Sequence, residues 1–153
     1  MTVLGQVNDR QIIYIKHDFE TAWYEDFPLG NWLLFAITNQ KQQTLFKEIS
    51  QRAIDKDIVY MCAVGQECKM FHDSFDNEIE NREVESRYLP NYCILTTWDD
   101  NLEEGFWAAN HASLGETEDI NKIICLDLTN PGIKNELCDL INKLNSGWTP
   151  SET

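Results

Sequence analysis

Carboxylates at the end of a predicted buried strand are the residues of this chain best placed for metal-dependent chemistry. The stretch ILTTWDDNLEEGFWAANH, residues 94–111, passes from an apolar run to four acids: Asp99, Asp100, Glu103 and Glu104. A further carboxylate, Asp127, ends another apolar run. If the two strands are neighbours, Asp127 with Asp99 or Asp100 could supply the oxygen ligands that magnesium or calcium prefers. A metal-dependent enzyme is therefore one hypothesis for this chain.

The same acids also fit a structural role at the start of a helix. A helix N-terminus carries about half a positive charge, so Asp99 can cap the helix predicted after Trp98 while the other acids favour its dipole. They would repel a phosphate group placed there. The loop after an earlier predicted strand, Val64-Gly65-Gln66-Glu67, has one glycine and lacks the glycine-rich motif that cradles phosphate. The sequence therefore predicts no nucleotide site.

The run His72-Asp73-Ser74 suggests a catalytic triad, but its setting argues against one. A catalytic serine needs an exposed, strained turn, whereas Ser74 lies within a predicted helix. His72 and Asp76 have the i, i+4 spacing of a metal-binding pair, yet His72 lies at the margin of the apolar face. We interpret it as a packed or half-exposed histidine, and His111 as a cation favoured near a helix C-terminus. No catalytic residue is predicted.

Near-continuous apolar runs predict a parallel sheet covered on both faces. These runs are NWLLFAIT (31–38), DIVYMCAV (57–64), NYCILTTW (91–98) and NKIICLDL (121–128), with QIIYI (11–15) as an edge strand. Helical patterns alternate with the strands. Right-handed crossovers then give an α/β fold: a three-layer Rossmann-like sandwich with a four- or five-stranded, mostly parallel sheet and about four helices.

Periodicity and capping residues place the helices. We expect Thr38 or Asn39 to begin the first helix, and Thr129 or Asn130, followed by Pro131, to begin the last, which ends before Gly147. The second helix, from Gln66 to about Glu85, has one apolar and one acidic stripe. The apolar stripe is Cys68, Phe71, Phe75 and Ile79, and the acidic stripe is Asp73, Asp76, Glu80 and Glu83.

Length and cysteine usage indicate one cytoplasmic domain. The 153 residues suit a single core, so we expect a domain at 1–153 with a frayed tail at 147–153. No window is apolar enough for a membrane helix, and the start lacks the layout of a signal peptide. The five cysteines lie in periodic segments, which predicts small buried thiols in a reducing compartment and neither disulfides nor zinc. No cofactor is expected.

Acidic residues are concentrated in the middle third of the chain. The net charge is −14, and residues 66–119 hold fourteen acids and three bases, or −11. Residues 1–65 contribute −2 and residues 120–153 contribute −1. Such a field repels nucleic acid and anionic membranes, and it accelerates encounters with cationic molecules.

This concentration of charge predicts a protein-binding surface. Repulsion among like charges works against compactness, and solubility alone would need fewer of them. Tryptophan residues, which often anchor interfaces, lie among the acids. The predicted partner-binding residues are Asp73, Asp76, Glu80, Glu83, Trp98, Asp99, Asp100, Glu103, Glu104 and Trp107.

In its size, acidity and α/β pattern without catalytic motifs, the chain resembles the immunity proteins of bacterial toxin systems, including contact-dependent inhibition. These are small cytoplasmic proteins, often acidic, that bind and occlude a basic toxin domain, frequently a nuclease. The resemblance implies a toxin–immunity complex in which this chain masks the active or substrate-binding cleft of the toxin, without binding nucleic acid or membrane itself. Two alternatives stay open: the metal-dependent enzyme based on Asp127 and Asp99, and another acidic inhibitor or adaptor of a nucleic-acid-binding protein.

Overall fold

The computed structural model describes residues 1–113 and 119–150. Its strands are β1 (Thr2–Val7), β2 (Arg10–Lys16), β3 (Trp32–Thr38), β4 (Tyr60–Gly65), β5 (Leu95–Asp99) and β6 (Lys122–Asp127). Its α-helices are α1 (Gln43–Asp55), α2 (Cys68–Val84), α3 (Leu102–His111) and α4 (Lys134–Asn145), and a turn of 3₁₀-helix covers Trp23–Asp26. Parts of the predicted acidic segment and frayed tail, namely Glu116, Glu118 and residues 151–153, lie outside the described residues.

The described strands form one sheet in the order β1-β2-β6-β3-β4-β5. Strands β2, β6, β3, β4 and β5 are parallel, and β1 pairs antiparallel with β2. The α/β class, the mostly parallel sheet and the four helices are thus confirmed. The predicted count of four or five strands is wrong, because β1 adds a sixth. The prediction of 11–15 as an edge strand is also wrong, because β2 lies between β1 and β6.

The additional strand β1 is an edge strand joined to β2 by a tight turn. Asn8 and Asp9 have φ values of 49° and 64°, as a two-residue type I′ turn requires. Only Val7 of β1 is buried. Because β1 has one neighbouring strand and an exposed side, its sequence lacks the continuous apolar run by which the buried strands are predicted.

Helices cover both faces of the sheet and complete three layers. On one face, α1 and α2 pack over alternate residues of β3 and β4: Leu34, Ala36, Met61 and Ala63. On the other face, α3 and α4 pack over the intervening residues: Leu33, Phe35, Cys62 and Val64. Both sets are buried, as expected for a parallel sheet between helices. Among the described residues, no helix combines the length and the apolarity needed to cross a lipid bilayer.

The close approach of α3 to the sheet depends on Gly105. A Cβ atom at this position would lie 2.4 Å from Cγ1 of Val64 on β4 and 3.5 Å from Cβ of Asp99. The first distance is far shorter than a van der Waals contact. The missing side chain therefore lets the backbone of α3 rest against the end of β4.

Two helices begin later than the predicted capping residues. α1 begins at Gln43 rather than after Thr38 or Asn39, and its N-cap residue makes no side-chain capping bond. α4 begins at Lys134 rather than at Pro131. The loop between β6 and α4 is organised instead by hydrogen bonds to a buried carboxylate at the end of β6, described below.

The C-terminus of α4 ends as predicted, but the tail after it is partly ordered. Gly147 has a φ of 87° and donates its N–H to the Leu144 carbonyl at 3.1 Å, while the Trp148 N–H bonds the Lys143 carbonyl at 3.1 Å. This is the Schellman arrangement that favours glycine after a helix. Trp148 also packs against the core under α3 and α4, so the prediction of a frayed tail from residue 147 is wrong for Trp148.

Strand β5 is shorter and more exposed than the predicted buried strand at 91–98. It starts at Leu95, forms an edge of the sheet and contains no fully buried residue. The residues before it form a loop in which Ile94 is buried and Cys93 is exposed. The apolar residues within 91–94 thus belong to a packed loop and not to a strand.

Three of the five cysteines are buried thiols, as predicted. Burial raises the pKa of Cys62 to about 12 and that of Cys68 to about 11, and it raises the pKa of Cys125 as well. These thiols are poor nucleophiles at neutral pH. The prediction fails for Cys93, which is exposed, and for Cys138, which is half-buried.

Candidate functional site

The exposed side of α2 carries the four carboxylates that we name the α2 acidic face: Asp73, Asp76, Glu80 and Glu83. The opposite side buries Cys68, Phe71 and Phe75 against the sheet and α1, as the helical spacing predicts. Ile79, the predicted fourth member of the apolar stripe, is only partly buried. The acidic stripe predicted from the sequence therefore lies in solvent over the length of the helix.

A buried ion pair, not an apolar contact, fixes the C-terminal half of α2. Glu78 and Arg82 are 2% and 4% exposed. The Arg82 guanidinium donates to the Asp55 carboxylate of α1 at 2.7 Å and lies 3.9 Å from Glu78 Oε1. Arg87 approaches the same Glu78 oxygen at 3.4 Å. Because this network joins α2 to α1, it holds the α2 acidic face in one orientation.

The end of β5, the turn after it and the first turn of α3 supply the second group of carboxylates, named the turn acids: Asp99, Asp100, Glu103 and Glu104. The Asp99 carboxylate accepts the Asn101 N–H at 2.9 Å, and Asn101 in turn accepts the Glu104 N–H at 2.9 Å. Asn101 therefore caps α3, and the prediction that Asp99 does so is wrong. Asp99 instead shapes the turn that places Asn101 at the cap.

Contacts between side chains bring the turn acids and the α2 acidic face to the same edge of the sheet. The Cys68 thiol, in the first turn of α2, donates to the Asp100 carboxylate at 3.4 Å. Thr96 of β5 donates to the Asp76 carboxylate at 2.7 Å. The two acidic groups are therefore held on either side of β5, although they are separate in the sequence.

His72 is part of this junction and contacts neighbouring side chains through both ring nitrogens. Its Nδ1 lies 3.0 Å from Asp73 Oδ1, and its Nε2 lies 3.4 Å from Asp76 Oδ2 and 3.2 Å from the Thr96 hydroxyl. Lys69 and His72 hold the pKa of Asp73 below its ordinary value through hydrogen bonds. Both ring nitrogens thus make structural contacts, which confirms the interpretation of His72 as a half-buried packed residue.

Most of the predicted site carboxylates have no basic partner. The three bases of residues 66–119 are already paired: Lys69 with Asp73, and Arg82 and Arg87 with the Glu78 network. Glu103 pairs with Lys143 at 3.4 Å. Within the described ranges, the site carboxylates without a Lys or Arg partner are Asp76, Glu80, Glu83, Asp99, Asp100 and Glu104.

The two predicted interface tryptophans differ in exposure. Trp98 of β5 is 43% exposed and lies opposite Ala63 of β4, on the face of the sheet that α2 covers. Trp107 of α3 is half-buried against the other core cluster and stacks on His111 with ring centroids 4.1 Å apart. Trp98 therefore has the larger surface available to a partner.

The strand ends offer no shared metal site for Asp127 and Asp99. Strands β3 and β4 stand between β6 and β5, so β6 and β5 are about 14 Å apart at the usual strand spacing. The Asp127 carboxylate is buried and accepts hydrogen bonds from the Tyr14 hydroxyl at 2.6 Å, the Ile133 N–H at 2.8 Å, and the N–H and hydroxyl of Thr129. It organises the loop before α4, and the predicted neighbouring pair is wrong.

The described residues also contain no group of three or more His, Cys, Asp and Glu side chains that could hold a metal ion. Burial and the bond to Asp127 raise the pKa of Tyr14, so its hydroxyl stays a donor at neutral pH. The arrangement at this end of the sheet is that of a satisfied structural network.

Two residues that the sequence analysis does not single out belong to the site. Thr96 links β5 to Asp76, and Leu95 exposes 39% of its surface at the same edge. A weak signal for them exists in the sequence, because the polar pair Thr96 and Thr97 interrupts the predicted apolar run 91–98. The apolar residues on either side of the pair make the whole segment resemble a buried strand.

The chain belongs to a family defined by a domain of unknown function, DUF7684, whose model matches residues 12–144. The matched range extends from β2 into the last turn of α4 and therefore contains the parallel part of the sheet except the first two residues of β2, without β1. No curated protein and no solved structure matches the chain at a significant level.

Proposed function

We propose that this member of the DUF7684 family is an immunity protein of a bacterial toxin system, of the contact-dependent inhibition type, and that it binds and neutralises a basic toxin domain with nuclease activity. The observation that carries the proposal is the pair of acidic groups beside β5, most of whose carboxylates have no basic partner in the described ranges. The family assignment adds no functional information. The proposal therefore rests on the electrostatics of this surface.

Carboxylates without basic partners lower the stability of a fold but attract a cationic partner. Like charges on adjacent elements repel one another and reduce stability. The same field attracts a cationic surface over about a Debye length, roughly 8 Å at physiological salt. An oppositely charged partner thus explains why the carboxylates of α2 and of the β5–α3 turn are grouped together.

Nuclease domains bind the phosphates of their substrate with basic clefts. The α2 acidic face and the turn acids would occupy such a cleft with carboxylates in place of phosphates. Association is then steered by charge, and the bound chain blocks access of nucleic acid to the active or substrate-binding cleft. Trp98, exposed among these carboxylates, would supply the desolvated centre of the contact.

A test is available in the gene neighbourhood, since an immunity gene is expected next to its toxin gene. If a neighbouring gene encodes a toxin-like domain, that domain is expressed alone and together with this chain. We expect the chain to restore growth of cells that produce the toxin domain and to form a stable complex with the purified domain. Absence of both protection and binding would refute the immunity function. Binding without protection would instead favour an adaptor or inhibitor of a different basic protein.

A further inference from the structure

One edge of the sheet has backbone groups directed away from the molecule. β5 is the outermost strand beside β4, and the Leu95 N–H donates to the Val59 carbonyl at 3.2 Å. Because hydrogen-bonding direction alternates along a strand, Leu95, Thr97 and Asp99 face β4. Thr96 and Trp98 therefore direct their N–H and C=O groups outward, and within residues 1–113 and 119–150 these groups have no hydrogen-bond partner.

The opposite edge is protected, whereas this one is not. β1 has an irregularity in its register between Val3 and Gly5, and such bulges prevent an edge from pairing with another chain. β5 pairs with β4 without a register shift. From Leu95 to Trp98 it contains no proline and no charged residue. The edge of β5 is thus an open template for one further strand.

Exposed apolar side chains accompany this edge on both faces of the sheet. Trp98 is on the face that α2 covers, and Leu95, opposite Tyr60, is on the face that α3 covers. They are 43% and 39% exposed. An added strand would cover both side chains while it pairs with the backbone, so hydrogen bonding and apolar burial favour the same event.

Charge selects which strand can bind. The carboxylate of Asp76 is bonded to Thr96, and Asp99 and Asp100 follow Trp98 directly. A second copy of this chain would bring the same carboxylates against these and would be repelled, since each copy carries a net charge of −14. A strand with lysine or arginine side chains would be attracted.

We propose that β5 binds a basic, extended segment of the partner protein as an additional strand of the sheet. The proposal deepens the immunity function and rests on it for the identity of the partner. The backbone of Thr96 and Trp98 supplies two donors and two acceptors. Trp98 and Leu95 contact the apolar residues of the bound strand, and the adjacent carboxylates contact its basic residues.

The first test uses a synthetic peptide of alternating lysine and valine and follows amide hydrogen exchange by NMR. We expect a saturating concentration of peptide to slow exchange of the Thr96 and Trp98 amides by about tenfold or more, because they become hydrogen-bonded. Thr97, which already faces β4, should change far less. A peptide of alternating glutamate and valine is the control and should have no effect.

The second test separates the backbone from the side chain at residue 98. Trp98→Ala and Trp98→Pro both remove the indole, but only the proline variant removes the outward N–H. Proline is tolerated on an edge strand when its nitrogen faces solvent. We expect Trp98→Pro to bind the lysine–valine peptide, and the proposed toxin domain, about fivefold or more weakly than Trp98→Ala.

Three results would overturn the proposal. The first is peptide binding without slower exchange at Thr96 and Trp98, which would mean surface attraction alone. The second is equal affinity of folded Trp98→Ala and Trp98→Pro for the toxin domain, which would leave the immunity function intact. The third is exchange at the Thr96 and Trp98 amides that becomes slower as the concentration of the chain itself rises without peptide. The occupant of the edge would then be a second copy. Failure of the wild-type chain to bind the toxin domain would refute the immunity function alone, since the peptide tests do not depend on it.

Discussion

At the scale of single residues, Arg82 decides whether the site keeps its shape. The residue is 4% exposed, and its guanidinium is shared between Glu78 of α2 and Asp55 of α1. Such a buried arginine cannot lose its proton and must keep its partners. The residue does not touch the proposed partner, but it orients the helix that carries the α2 acidic face.

We predict that Arg82→Met lowers the free energy of unfolding by about 3 kcal/mol, because it leaves the Glu78 carboxylate buried with weaker compensation. Urea denaturation measures this change. Lys69→Met is the matched control, since the Lys69–Asp73 pair is exposed, and it should cost less than about 1 kcal/mol. The double variant Glu78→Leu, Arg82→Met should recover most of the loss, because no buried charge is left unpaired. A small effect of Arg82→Met would mean that the network does not hold α2 in place.

At the scale of elements, the position of the turn acids depends on how closely α3 approaches β4. Gly105 makes this approach possible, because a Cβ atom added at this position would lie 2.4 Å from Val64 Cγ1. Two of the turn acids precede α3 and the other two lie in its first turn, and Asn101 caps the helix. A shift of α3 would therefore move these carboxylates relative to β5.

We predict that Gly105→Ala lowers the free energy of unfolding by about 1–2 kcal/mol, because the clash with Val64 outweighs the gain of about 1 kcal/mol in helix propensity. Denaturation of a double-mutant cycle with Val64→Ala measures the coupling. In the Val64→Ala background, Gly105→Ala should be neutral or stabilising. An equal loss in both backgrounds would show that the contact with Val64 is not the cause.

The strands inside the sheet and the helices packed on it are the elements that sequence patterns predict well. The strands β2, β3, β4 and β6 and the four helices follow from apolar runs and helical spacing, because burial on defined faces leaves a periodic signal. The edge strands leave a weaker signal. β1 is missed, and β5 is predicted from 91 rather than from Leu95, because the buried Ile94 extends the apolar run into a loop.

The site shows the same division between local and long-range information. The α2 acidic face follows from spacing along one helix. Strand order does not follow from spacing, because β6 inserts between β2 and β3 after three intervening crossovers. The supposed neighbours Asp99 and Asp127 are consequently separated, whereas Asp76 and Thr96 meet across elements without any pattern that predicts it.

At the scale of the whole molecule, negative charge is distributed asymmetrically. The bases of residues 66–119 are paired with acids of the same region or of α1. The remaining carboxylates therefore dominate the field around β5. A molecule with this asymmetry should bind cationic partners fast at low salt and more slowly as salt screens the field.

The most direct test of this account is the rate of association with the basic toxin domain proposed as the partner, measured by stopped-flow mixing at several salt concentrations. The acidic-face variant carries Asp73→Lys, Asp76→Lys and Glu80→Lys. The control variant carries Glu20→Lys, Glu25→Lys and Asp139→Lys, which change the net charge equally at exposed positions away from β5. We predict that the acidic-face variant keeps its fold but associates about tenfold or more slowly at low salt, with a weaker salt dependence, while the control variant stays close to wild type. Equal rates for the two variants would contradict the account, because steering would then follow net charge and not the carboxylates beside β5.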